Sequence, residues 1–447
     1  MTSPAHSTSG TSLPTTQLDV TTCHQHLDKT VIATLPTELD PLVANGPMTK
    51  SLAYRRDIDG LRGVAILLVL LEHTDLVHGG FVGVDVFFAL SGYLITSILL
   101  QEVDACGTIS LADFYGRRVR RLFPSLLVLL VVVLVVGISV LSTSSLIPLL
   151  RSIFLASVFG ANVPLMTGHD LVDSATATTL IHLWSLSVEE QFYLVWPFVV
   201  SFVARLTPRR ACFALTVLTL LSFGLNIGLT FHYAPDTPRF NTIAYSHTFG
   251  RFWQLSSGGL LALLELQRDI HVSPNAALTI SLVGSTLLAL GVATTQVNYF
   301  PGLYALLPTT GALLLLHAGM TSPWNAQVLA RPPLVYLGRI SYTLYLLHYP
   351  MLQVTALVYP TRPWFVHPVG VIALSVLLAT ASLHVMENPL RQTKPAWAVP
   401  LLVTVLALLA IGTSLASIFL CHSIRCYEQL QLGGDTISKL SNDLICP

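Results

Sequence analysis

From residue 60 onward the chain alternates long apolar runs with short polar breaks. A helix crossing a hydrocarbon core needs about 20 mostly apolar residues. Eleven runs meet that requirement, at 60–77, 81–100, 122–141, 184–204, 211–232, 248–266, 276–295, 303–318, 335–359, 367–386 and 397–420. A further run, 149–165, is apolar but carries Gly160, Asn162 and Pro164. The pattern predicts an all-α polytopic transmembrane helix bundle of about eleven crossings, ten in the core and one C-terminal.

Positive charge in short loops marks the cytosolic side. The basic clusters are Arg55-Arg56, Arg117 to Arg121, Arg205 to Arg210, Arg331 with Arg339, and Arg391 with Lys394. All fall on one side only if 149–165 does not cross, so that run is expected to be re-entrant or interfacial. The N-terminus is then cytosolic. Residues 1–53, rich in Thr, Ser and Pro, read as a disordered polar tail, because such a stretch buries too little apolar area to offset the entropy of ordering. Residues 54–391 read as the main transmembrane domain, 392–420 as a terminal transmembrane helix and 421–447 as a short non-cytosolic tail. Cys421, Cys426 and Cys446 lie in that last tail, where a disulfide and free thiols are both open readings. No repeat at a fixed period is visible, nor an inverted pair of interrupted helices of the transporter kind.

Composition sharpens this picture. The 447 residues are 53% hydrophobic and 10% charged, against about 25% charged in soluble domains. The excess apolar material must face lipid, which makes membrane lipids a standing partner and a multi-pass protein of the cell membrane the expectation. Net charge is zero, so nothing points to nucleic acid. Six Cys without a C-x-x-C pair give no reason to expect a metal.

Ionisable residues within or beside spans are costly and usually mark function. Four constellations stand out. In Tyr54-Arg-Arg-Asp-Ile-Asp-Gly-Leu-Arg62, followed by an apolar run to Glu72-His73, the eleven-residue spacing of Arg62 and His73 puts both on one helix face, roughly 16 Å apart along the axis. A neutral imidazole at that depth suits a general base; a hydrogen-bonded core histidine fits as well. In Gly80-Phe-Val-Gly-Val-Asp-Val-Phe-Phe88, Asp85 is a carboxylate inside an apolar run, placed to orient His73 or to pair with an arginine. In Phe114-Tyr-Gly-Arg-Arg-Val-Arg-Arg-Leu-Phe-Pro124, Arg117, Arg118 and Arg121 form a patch at the mouth of a span. Their forks match phosphate, and topogenic charge explains them equally simply. In His182-Leu-Trp-Ser-Leu-Ser-Val-Glu-Glu-Gln-Phe-Tyr193, one stripe carries His182, Ser185, Glu189 and Tyr193. Arg339, Ser341, Tyr345 and His348 form a similar stripe in the ninth crossing. Stripes this polar must face the bundle or a water-filled cavity.

Together and in this order, these stretches resemble the integral-membrane O-acyltransferases of the acyltransferase-3 type. The segments that carry the resemblance are YRRDIDGLRGVAILLVLLEH, GGFVGVDVFFALSGYLIT, FYGRRVRRLFP, HLWSLSVEEQFYLVWP, LGRISYTLYLLHYP and Glu387-Asn-Pro-Leu-Arg391, spanning about 54–391. The resemblance implies an acyltransferase transferring groups other than aminoacyl, of O-acetyltransferase type, using cytosolic acyl-CoA, usually acetyl-CoA, as co-substrate and needing no metal. Its acceptor would be a hydroxyl of a carbohydrate or glycolipid. Carried onto this chain, His73 is the base or a transient acyl carrier, Arg62 or Asp85 orients it, and Glu189 is a second acid/base. Arg117, Arg118 and Arg121 would take the phosphates of the co-substrate, and His182, Ser185, Tyr193 and His348 would position substrate.

The chain departs from the family pattern in places. Gln254 stands where an acidic residue is usual, and Glu72 beside His73 would favour an imidazolium. No esterase-like domain follows the last span, so a separate acceptor-handling protein is conceivable. The rival reading is a multi-pass transporter or flippase for a lipid-linked or glycan intermediate, its charges lining a translocation path.

Overall fold

A computed structural model of the chain describes residues 54–167, 177–233, 241–267, 272–295, 299–359 and 367–431. The N-terminal tail expected over 1–53 lies outside these residues. Among them every regular element is helical and no strand forms. All eleven predicted runs fall on helices: α1 Arg56–His73, α2 Gly83–Cys106, α3 Leu111–Val140, then, after α4 Thr143–Ser157 and α5 Val163–Thr167, α6 Trp184–Val203 and α7 Pro208–His232. There follow, past the short α8 Thr242–Ser246, α9 Thr248–Gln267, α10 Pro274–Thr294, α11 Leu306–Ala318, α12 Pro332–Val358 and α13 Pro368–Ser382, and, after α14 Asn388–Thr393, α15 Ala398–Gln431.

Six helical stretches are long and apolar enough to cross a membrane by length and composition: Gly80–Cys106, Leu111–Val140, Pro208–His232, Pro274–Thr294, Pro368–Thr393 and Ala398–Ile424. The four longer helices outside that set, α1, α6, α9 and α12, carry most of the polar residues singled out above. They are buried among the others, so they need less apolar surface of their own. Outward-facing Val128, Val131, Val132, Val135, Ile138, Leu220 and Leu221 are exposed, a surface suited to lipid and not to water.

The run 149–165 is broken, as its Gly, Asn and Pro suggest. Helix α4 ends at Ser157, Phe159 takes a left-handed φ of 52°, and α5 starts only at Val163. The freed polar groups are met from within the protein. Gln191 donates to the Phe159 carbonyl and to Asn162 Oδ1, while Asn162 donates to Ser246 O and Thr248 Oγ1.

Small residues let the central helices touch. Helix α2 packs on α9 at Gly92 and Gly258, where an added Cβ would sit 1.8 Å from Leu255 O and 2.1 Å from Ala89 O. Helix α1 packs on α12 at Gly63 and Gly338 in the same way. Without a hydrophobic drive between helices in lipid, such close approach is what association rests on. It also brings the polar faces of α1 and α12 together.

Candidate functional site

Three histidines from three segments meet at one end of the bundle. The His73 ring, at the end of α1, packs edge-on against His348 and Tyr349 of α12, with centroids 5.1 and 4.9 Å apart. His182 lies in the 3₁₀ stretch Ala177–Leu183, just ahead of the helix that carries Ser185 and Glu189. Its ring is 5.8 Å from His348 and 5.2 Å from Tyr349. A cavity of about 210 Å³ opens beside His73, lined also by Asp75, Gln353 and Thr355.

Backbone carbonyls assign the protons on these rings. A carbonyl oxygen can only accept, so the ring nitrogen facing it carries the hydrogen. His73 Nδ1 donates to Val69 O at 2.9 Å, His348 Nδ1 to Leu344 O at 3.1 Å and His182 Nε2 to Leu346 O at 3.3 Å. In the neutral rings this leaves His73 Nε2, His348 Nε2 and His182 Nδ1 as bare acceptors. The last two are buried and without a partner. The bond to Leu346 exists because Pro350, one turn on, has no N–H to offer that carbonyl. Tyr345 ties the group to α6: its hydroxyl donates to His182 O at 2.5 Å and lies 2.6 Å from Ser185 Oγ.

The polar face continues along α6 away from the histidines. Glu189 accepts from Ser91 at 3.2 Å and lies 3.5 Å from the Tyr193 hydroxyl. The Arg118 guanidinium stacks on the Tyr193 ring, 3.5 Å from its centroid. Beyond it, Arg121 lies in the electrostatic field of Arg62, Arg118 and Arg391. A polar column thus runs through the bundle, histidines at one end and guanidiniums at the other. Arg62 and His73, on one helix, mark its two ends.

Two predicted residues lie elsewhere. Asp85 does not touch His73. It is fully buried and bonded to Arg251 at 2.9 Å and Gln254 at 2.5 Å. Phe88, Trp184, Tyr245 and Phe300 surround that guanidinium. Of the two sequence readings, pairing with an arginine is the one realised, and Gln254, the departure from the family pattern, is part of that pair's hydrogen bonding. Arg117 turns from its neighbours to pair with Glu102 at 3.3 Å. Neither Arg62 nor Asp85 orients His73, since the Val69 carbonyl does so. Glu72, the carboxylate beside it, is taken up by the Gly79 N–H at 2.7 Å. Sequence reasoning missed Tyr349, whose place next to His348 was the available signal, and Glu190, whose Oε1 is buried without a partner. It also missed Arg251, which no spacing connects to Asp85. Among the described residues no group of three His, Cys, Asp or Glu is arranged to hold a metal ion.

A family described as an acyltransferase domain, of the acyltransferase-3 type, matches residues 55–384. O-acetyltransferase OatA of Staphylococcus aureus is 31% identical over 356 residues, covering 76% of this chain and 57% of the relative. Peptidoglycan O-acetyltransferase OatA of Listeria monocytogenes is 32% identical over 355 residues, covering 76% and 56%. A putative O-acetyltransferase of S. aureus is 29% identical over 361 residues, covering 77% and 58%. The chain thus spans less than three fifths of the length of these curated relatives. No solved structure matches.

Proposed function

We propose, from the premise that this chain belongs to the acyltransferase-3 family, that it is a membrane-embedded O-acetyltransferase moving an acetyl group from cytosolic acetyl-CoA to a carbohydrate hydroxyl. The observation that carries this reading is the convergence of three imidazoles, each with one nitrogen held by a backbone carbonyl, beside a cavity at the far end of a column that starts in arginines.

With the N-terminus cytosolic, as the loop charges ask, the arginine end faces the cytosol and the His73 end the opposite side. The donor phosphates rest on Arg118 and Arg121, and the acyl arm lies along the Arg62 face of α1. The acceptor enters by the His73 cavity. Peptidoglycan, in the name of the Listeria relative, is a carbohydrate-containing acceptor of the class intended here. His348 Nε2 and His182 Nδ1 accept hydrogen bonds from its hydroxyls, while Ser185 and Tyr345 hold His182 in place. His73 Nε2 takes the proton of the reacting hydroxyl as its oxygen attacks the thioester carbonyl. The C–S bond then breaks, and the imidazolium returns the proton to the departing thiolate. Glu189, between the two ends, is the second acid/base.

Membranes holding the wild-type or His73→Ala protein, given labelled acetyl-CoA and then extracted for lipids and glycans, test this. A general base contributes about 10²–10⁴-fold, so the variant should label its products at least a hundredfold more slowly. Equal labelling by both preparations would end the proposal.

A further inference from the structure

Helix α1 ends just past His73 in a defined turn. Asp75 donates its backbone N–H to Glu72 O at 3.0 Å, and Leu76 donates to Leu71 O at 3.0 Å. These are the two bonds of a Schellman motif, which puts residue 75 in the left-handed region, with φ 58°. Glycine usually takes that place and asparagine sometimes does, because a side chain there carries a steric cost. A carboxylate carries a second cost, since the C-terminus of a helix is the negative end of its dipole. Asp75 bears both, and among the described residues nothing bonds to its carboxylate. A residue that its own local structure disfavours twice points to a use outside that structure.

That use is the cavity beside His73, which Asp75 lines together with Gln353 and Thr355, while Leu352, Ala356 and Pro368 supply an apolar wall. A few polar groups set against apolar lining fix the orientation of a bound molecule, and a sugar ring offers both a hydroxyl edge and a C–H face. We propose that Asp75 determines which acceptors the enzyme takes. Its carboxylate accepts hydrogen bonds from hydroxyl or ammonium groups next to the reacting hydroxyl, bonds strengthened by its charge. The same charge turns away sugars that carry a carboxylate or phosphate of their own, because like charges brought together suppress the wrong partner. Among the described lining residues no Lys or Arg offsets it. The inference rests on the reading of the His73 cavity as the acceptor's site.

The test offers the full chain in nanodiscs labelled acetyl-CoA and two soluble acceptors, an uncharged N-acetylglucosamine tetramer and a hyaluronan tetrasaccharide with a carboxylate on alternate sugars. Wild type should label the uncharged tetramer at least tenfold faster. Asp75→Asn keeps the left-handed turn, which asparagine adopts readily, and removes only the charge. It should raise the KM for the uncharged tetramer about tenfold, the loss of one charge-assisted bond, and narrow the preference between the two sugars. Its KM for acetyl-CoA should not change. The variant should melt no lower than wild type, because a carboxylate has left the negative end of a helix. A lower melting point, an unchanged KM for the tetramer or an unchanged preference overturns the inference, and so does equal labelling of both sugars by wild type. Wild type that labels neither sugar sinks the reading of the cavity as a carbohydrate site. Wild type and Asp75→Asn labelling the tetramer alike sinks only the role of Asp75.

Discussion

His182 is held by a carbonyl that a proline sets free. Pro350 leaves Leu346 O without its usual helical donor, and the imidazole supplies one at 3.3 Å. Tyr345 adds a second hold, bridging the His182 carbonyl and Ser185 Oγ. Removing one partner from a buried bond costs about 1–3 kcal/mol. Tyr345→Phe should therefore destabilise the protein by that order, and should raise the KM for the acceptor more than that for acetyl-CoA. Comparing the two KM values checks this; a selective rise in the acetyl-CoA value would place Tyr345 on the donor side. At this scale the spacing of Arg62 and His73 on one face was legible, as were the polar stripes. Proton placement was not, because it depends on which carbonyl each ring meets, and those of Val69, Leu344 and Leu346 bear no sequence mark. Asp85 shows the same limit, since its partner Arg251 is 166 positions away.

Helix pairing depends on places where backbone meets backbone. A Cβ at Gly258 would fall 2.1 Å from Ala89 O and 2.7 Å from Tyr93 N, and neither is the tip of a flexible side chain. Overpacking of this kind costs about 1–3 kcal/mol or more. Gly258→Ala should lower the melting temperature in detergent by several degrees. Gly412→Ala, where nothing lies within 4 Å, should leave it unchanged or raise it slightly, since alanine is the better helix former. Equal behaviour of the two would mean that α2 and α9 do not pack as described. The break between α4 and α5 could be foreseen from Gly160, Asn162 and Pro164. The bonds from Gln191 and Asn162 that make it tolerable could not.

For the whole molecule the decisive matter is orientation, since the proposed route needs arginines at the cytosol and the His73 cavity opposite. Reporter fusions or thiol labelling should place residues 107–110 and 204–207 on the cytosolic side and 74–79 on the other. Cytosolic labelling of 74–79 would reverse the route and exclude entry of acetyl-CoA at Arg118. The terminal helix α15 runs on to Gln431, past the boundary expected at 420, and Cys421 on it is disulfide-bonded. Cys426 and Cys446 lie outside the residues whose side chains are described. Hydrophobic run length was enough to locate every long helix, because lipid imposes that length on each segment separately, and the ordered motifs were enough to indicate the family. Which polar residues work together was left to the tertiary structure. Pairing of Asp85 with Arg251, the turning away of Arg117 and the meeting of three histidines all depend on contacts between distant segments, and a one-dimensional period carries no information about those.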